Sequence, residues 1–157
     1  MVADVGTQAP NFTLPDQDRR AVTLKDELQK HSAVVLAFFP AAFSSVCAAE
    51  LCTFRDQLAG LTNLSKAQVF GISVDTFFAL KAFATEQKLT FPLLSDFNKD
   101  VIQSYGVVNP DMIGLKGIAK RAVFVIGSDG VIRYKEVLED ARNEPDYMKL
   151  NAALASI

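Results

Sequence analysis

The chain has 157 residues, half of them hydrophobic, with a net charge of -2 at pH 7 and both signs interspersed. That length holds one domain, residues 1–157, with a substantial core. The charge supplies no basic patch for nucleic acid and no polybasic membrane anchor.

The start, MVADVGTQAP, has no basic or apolar leader region, and no apolar run approaches the length of a membrane span. A cytoplasmic location is the expectation. Two cysteines are too few for a structural disulfide framework; in a reducing compartment such a pair is catalytic or incidental.

In chain order, Phe12–Leu14 and Ala21–Leu24 flank the turn-prone run 15–20 and read as a β-hairpin at the edge of the fold. Lys25–Lys30 suits a short helical turn. His31, the only histidine, reads as a surface residue of a polar connection rather than a general base.

Val34–Phe39 is an unbroken apolar run suited to a central strand covered on both faces, and Pro40 stops it because proline has no N–H for the ladder. Cys47, Leu51, Phe54, Leu58 and Leu61 then recur at steps of four and three, which predicts a helix with those residues turned to the core. Ser44 or Ser45 suits the N-cap. With Ser44 there, Cys47 lies among the free N–H groups of the first turn, where the helix dipole favours an anion and hence a nucleophilic thiolate.

Gln68–Val74 predicts a second buried strand, and Asp75-Thr76 caps a helix running to Lys88. The cluster Phe77, Phe78, Leu80 and Phe83 reads as core, with a share left for an apolar pocket or a subunit contact. Phe91–Ser95 is a short extended piece, and Asp96–Tyr105 a short helix closed by Gly106. Residues 107–120 lack a clear period and read as an irregular loop. Arg121–Ile126 is a strand, 128–130 a hairpin turn, and Val131–Val137 its antiparallel mate. A last helix starts near Pro145 and runs toward Ala155. The order predicts an α/β fold with a mixed central sheet flanked by helices.

The spacing Pro40-x-x-x-Ser44-x-x-Cys47 at this strand-to-helix junction resembles the active-site signature of the peroxiredoxins, the alkyl hydroperoxide reductase and thiol-specific antioxidant family. Further matches are the run 9–14, the run 91–96 and Arg121 before an apolar strand. Ser44 replaces the commoner threonine, and Ala48 stands where many members carry proline or threonine. The resemblance implies a thioredoxin-like fold and a thiol peroxidase acting on hydrogen peroxide and organic hydroperoxides. In it Cys47 is the peroxidatic cysteine, Ser44 bonds the peroxide, Pro40 shields the sulfur, Arg121 favours the thiolate, and Glu50 orients the arginine. Without the resemblance, Arg121 merely opens a strand and Glu50 is a solvated acid of the first turn.

Cys52 decides the subclass. The Cys47-x-x-x-x-Cys52 spacing resembles the bacterioferritin-comigratory, or Q-type, members, in which the later cysteine resolves the sulfenate as an intramolecular disulfide. An ideal helix sets residues five apart at a Cα separation of about 8 to 9 Å, beyond the roughly 7 Å a disulfide tolerates, so the helix must unwind first. The alternative is a buried, inert Cys52, which makes the chain similar to the one-cysteine E-type alkyl hydroperoxide reductases. The resemblance further implies a thioredoxin-like or other thiol reductant as partner and no organic cofactor. Neither the cysteine spacing nor the lone histidine suggests a metal site. A monomer or a homodimer fits equally. A thioredoxin-fold redox sensor or binding module is the other class of reading, but the Cys-x-x-Cys pair such proteins use is missing.

Overall fold

A computed structural model of the chain describes residues 3–60 and 67–157, with the side chains of 58–60 left aside. Its centre is β3 (Ala33–Phe38), every residue of which is buried. It pairs in parallel with β4 (Ala67–Ser73) and antiparallel with β8 (Ala122–Gly127). The strand β5 (Leu93–Ser95) extends the sheet beyond β4, and β9 (Ile132–Val137) beyond β8, giving a mixed sheet in the order β5-β4-β3-β8-β9. The expected central strand, its neighbours and the 121–137 hairpin are all present.

The two-residue period of a strand divides β3 between two cores. Val34, Leu36 and Phe38 face a cluster with Phe70, Ile72, Tyr105 and Phe124. Val35, Ala37 and the following Phe39 face another with Cys47, Leu51, Phe54, Leu80, Phe83 and Val125. The second cluster receives α2 (Ser45–Gly60), α3 (Phe77–Glu86) and α5 (Tyr147–Ala155), so the cysteine is part of a helix-to-sheet core. Leu51 and Phe54 are buried as the periodicity requires, whereas the side chain of Leu58 and all of Leu61 lie outside the described residues.

The N-terminal hairpin is β1 (Thr13–Pro15) against β2 (Ala21–Thr23), followed by α1 (Leu24–Lys30). His31 is partly exposed at the end of α1, with Nε2 3.6 Å from Glu27.

Beyond shifts of a residue or two at strand ends, four features differ from the sequence reading. Thr76 caps α3, its hydroxyl accepting the Ala79 N–H at 3.2 Å, but the helix stops at Glu86. The next helix, α4 (Asp100–Ser104), is shorter than expected because Lys99 takes a left-handed φ of 68° ahead of it. Asp96 is buried before that turn, accepting the N–H groups of Val101 and Ile102 at 3.2 and 2.8 Å, and Gly106 closes the helix at φ 69° as anticipated. Residues 107–120 are not wholly irregular: β6 (Val108–Asn109) pairs with β7 (Ile118–Ala119). Two-residue strands are too short to show a period. Finally, Asp146 caps α5, leaving Pro145 outside the helix, since the carboxylate accepts the Lys149 N–H at 3.1 Å.

Tyr105 joins these layers. Its ring contacts Phe38 and Phe124 at centroid distances of 5.4 and 5.2 Å, and its hydroxyl donates to the Pro10 carbonyl at 2.7 Å. Tyr105→Phe keeps the ring but leaves that carbonyl unpaired, which should lower unfolding stability by about 1–3 kcal/mol. Urea denaturation measures it; an unchanged midpoint would mean the carbonyl is paid no desolvation penalty.

Candidate active site

The end of β3 delivers the chain to a tightly held loop. The Phe39 N–H donates to the Ile72 carbonyl at 2.9 Å, Pro40 ends the ladder, and the Ala42 N–H donates to the Asp75 carboxylate at 2.8 Å. Asp75 is itself held by the Ser73 hydroxyl at 2.7 Å, so the loop is anchored to the end of β4. Phe43 then takes a left-handed φ of 69°, uncommon for so large a side chain, with its ring edge-on to Phe83 at 5.1 Å.

Ser44 occupies the N-cap of α2 by its backbone, because its carbonyl accepts the Ala48 N–H at 2.9 Å. Its hydroxyl does not cap the helix. It donates backward to the Ala41 carbonyl at 2.9 Å, corrects the expected side-chain cap, and fixes the loop instead.

One turn in, Cys47 is fully buried. Arg121, immediately before β8, reaches across the sheet end so that Nη2 donates to Cys47 Sγ at 3.2 Å. The same guanidinium donates from Nε and Nη2 to the Ala141 carbonyl at 3.1 and 3.0 Å, and from Nη1 to Glu50 Oε1 at 3.4 Å. The expected contact between Glu50 and Arg121 is therefore present, and Glu50 is not a solvated first-turn acid: both groups are buried.

Burial has a consequence for Glu50. It pushes the carboxyl up to about 8, outweighing the opposing pull of the Arg121 guanidinium, while Glu144 and Glu136 add a further upward push. Glu50 Oε2 is buried with no hydrogen-bond partner among the described residues, which suits a carboxyl that carries its proton at neutral pH. A neutral Glu50 does not oppose negative charge on the neighbouring sulfur.

Cys52 is on another side of α2. It is half-buried, and its thiol donates to Gln87 Oε1 at 3.2 Å, next to the contact of Arg55 Nη1 with the Gln87 carbonyl. Both cysteines are free thiols. The pair thus faces different partners, Cys47 toward Arg121 and Cys52 toward the end of α3.

Beside Cys47 opens a cavity of about 650 Å³ lined by Pro40, Ser44, Val46, Ile113, Arg121 and Arg142. Three sequence-derived candidates, Pro40, Ser44 and Arg121, line it; Cys47, fully buried, lies behind Arg121 at the 3.2 Å contact, and Glu50 meets the same guanidinium. The aromatic cluster does not join them: Phe77 and Phe78 line a separate cavity of about 380 Å³ with Phe97, while Leu80 and Phe83 are core. No group of histidine, cysteine, aspartate and glutamate suited to a metal ion occurs among the described residues, nor any helix long and apolar enough to cross a membrane. The Ala141 carbonyl and Gln87 escaped the sequence reading. A backbone carbonyl has no sequence signature, and Gln87 meets Cys52 only through tertiary packing.

The sequence matches the AhpC/TSA family over residues 5–135. It is 42% identical over 136 residues to a protein of Mycobacterium tuberculosis named alkyl hydroperoxide reductase E, covering 85% of each chain. It is 34% identical to a chloroplastic 2-cysteine peroxiredoxin of Chattonella marina, covering 96% of this chain and 80% of that one. Among solved structures, the peroxidoxin BcpB of Mycobacterium tuberculosis superposes with a TM-score of 0.85 at 30% identity, over 99% of this chain and 98% of the other.

The Glu50 environment makes stability depend on pH. With its folded value raised from 4.5 to about 8, the folded state holds a proton that the unfolded state releases, so stability falls as pH rises through that window. Glu50→Gln keeps the shape without the proton, and its unfolding free energy should fall less between pH 5 and 8 than the parent's. Equal slopes in denaturation at several pH values would contradict a protonated Glu50.

Proposed function

Because the chain belongs to the AhpC/TSA family, the peroxiredoxins, and is thereby a thiol peroxidase, we propose that Cys47 is the nucleophile that reduces hydrogen peroxide and organic hydroperoxides. The observation that carries this reading is the 3.2 Å contact between Arg121 Nη2 and a fully buried Cys47 Sγ, beside a cavity lined by Ser44 and Pro40.

In this reading the guanidinium, a permanent cation, supports the Cys47 thiolate from one side, and the first-turn amides of α2 support it from another. Ser44 lines the cavity with its hydrogen donated to the Ala41 carbonyl, which leaves its oxygen to accept the O–H of a bound hydroperoxide. The thiolate attacks the terminal peroxide oxygen. The S–O bond forms as the O–O bond breaks, Cys47 becomes a sulfenic acid, and the leaving oxygen takes a proton to depart as water or alcohol. Negative charge grows on that oxygen in the transition state, and the Arg121 guanidinium on the cavity wall answers it. Pro40 contributes an apolar wall without an N–H to compete for the substrate.

Cys52 then resolves the sulfenic acid: its thiol displaces water and an intramolecular disulfide forms, which an external dithiol such as a thioredoxin-like protein reduces in a cytoplasmic setting. The step requires the Cys52 bond to Gln87 to break and the first turns of α2 to unwind. A one-cysteine cycle is the second reading, and the Gln87 contact favours it, because it holds the Cys52 thiol away from the Arg121 side of the helix.

Cys47→Ser should reduce peroxide turnover at least about a thousandfold while leaving the fold intact, since the nucleophile is lost at nearly constant volume; activity near the parent's would sink the assignment. Arg121→Gln should slow Cys47 oxidation by about a hundredfold or more, read by rapid-mixing kinetics. An unchanged rate would remove the arginine from the site. For Cys52, intact mass after one equivalent of peroxide separates the two cycles: a bridged chain loses two hydrogens, and Cys52→Ser instead proceeds under excess peroxide to sulfinic acid. Equal sensitivity of parent and variant to overoxidation would establish the one-cysteine cycle.

A further inference from the structure

The loop across the cavity from Ser44 carries a turn that the peroxidase chemistry does not use. Met112 and Leu115 exchange both backbone hydrogen bonds at 2.9 Å, leaving Ile113 and Gly114 as a two-residue connection at φ 48° and 89°. Positive φ at both central residues is the hairpin geometry that favours Asn-Gly. Here its first residue is an isoleucine, a β-branched side chain that occupies this region only when its surroundings hold it there. The hold is visible: Asp111 Oδ1 accepts the Gly114 N–H at 2.9 Å, and Asn109 Oδ1 accepts the Asp111 N–H at 3.2 Å. Yet Ile113 is 91% exposed. Neither backbone preference nor core packing accounts for an isoleucine at this tip.

Its place in the cavity does. The same space is lined by Ser44 and Arg121 and by the apolar side chains of Val46, Met112 and Ile113. Its volume of about 650 Å³ is far more than a peroxide needs; hydrogen peroxide, at roughly two water volumes of about 30 Å³ each, fills only about a tenth of it.

The charged residues of the cavity are balanced in sign. Asp111, Glu139 and Asp140 line it with Arg121 and Arg142, and Arg142 is forked onto Asp140 at 3.0 and 2.7 Å. Lys120 stands 3.9 Å from Glu139. Charge therefore sets no preference for the tail, and the apolar side chains are left to do so.

We infer that the Ile113–Gly114 turn determines specificity, presenting an apolar tip to the hydrocarbon tail of an organic hydroperoxide whose peroxide end reaches Cys47. The inference rests on the peroxidase reading above.

The test compares kcat/KM for cumene hydroperoxide and hydrogen peroxide. Ile113→Asn suits the turn better, so it should melt at or above the parent temperature while the ratio of cumene to hydrogen peroxide kcat/KM falls about tenfold. Ile113→Val keeps an apolar tip and should retain the ratio. A ratio within twofold of the parent's in Ile113→Asn would overturn the inference alone. A parent chain that consumes neither of these peroxides would overturn the peroxidase reading itself.

Discussion

The site depends on a buried guanidinium. Removing a permanent charge from water is costly unless its donors are paired and its charge is answered. Arg121 meets the first condition with two donors on the Ala141 carbonyl and one on Glu50. The second condition is less simple, because burial pushes Glu50 toward its neutral form. What remains beside the cation is the Cys47 sulfur, at 3.2 Å. The core thus holds a cation whose nearest acid is biased toward its neutral form and whose remaining contact is the Cys47 sulfur.

Holding that cation and that sulfur together takes most of the fold. Cys47 reaches the junction because β3 ends at Pro40 and α2 begins at Ser45; Arg121 reaches it because β8 lies antiparallel to β3, bringing the start of one strand to the end of the other. The link between them is short and anchored, at Ala42 by Asp75 and at Ser44 by its own hydroxyl on Ala41. Phe43, left-handed and stacked edge-on to Phe83, shows that the loop is held in a conformation its residues would not choose alone. A site built on rigid elements in this way holds the guanidinium and the sulfur at a fixed separation.

Much of this could be read from residues alone where the pattern was long. The apolar run 34–39 and the step-of-four helix after it have physical periods, so the central strand and the inward-facing Cys47 followed directly. The match of Pro40, Ser44 and Cys47 brought Arg121 into the site across 74 residues, which no local pattern does. Less legible were features decided by tertiary packing. Ser44 was expected to cap the helix through its hydroxyl, but Ala41 competes for it; the 107–120 stretch conceals β6 and β7, whose two residues each are too few to alternate; and Cys52 finds Gln87 only because α3 ends next to α2. Ile113 is the clearest case: its residue type argues against the turn it occupies.

The central claim is that the sulfur beside Arg121 takes the oxygen. Its most direct measurement is capture of the oxidised group itself: the Cys52→Ser chain, treated with one equivalent of hydrogen peroxide in excess dimedone, digested and mapped by mass spectrometry. The account predicts one dimedone adduct, on the peptide carrying Cys47, in proportion to the peroxide consumed. Peroxide consumed with no adduct at Cys47 would contradict it.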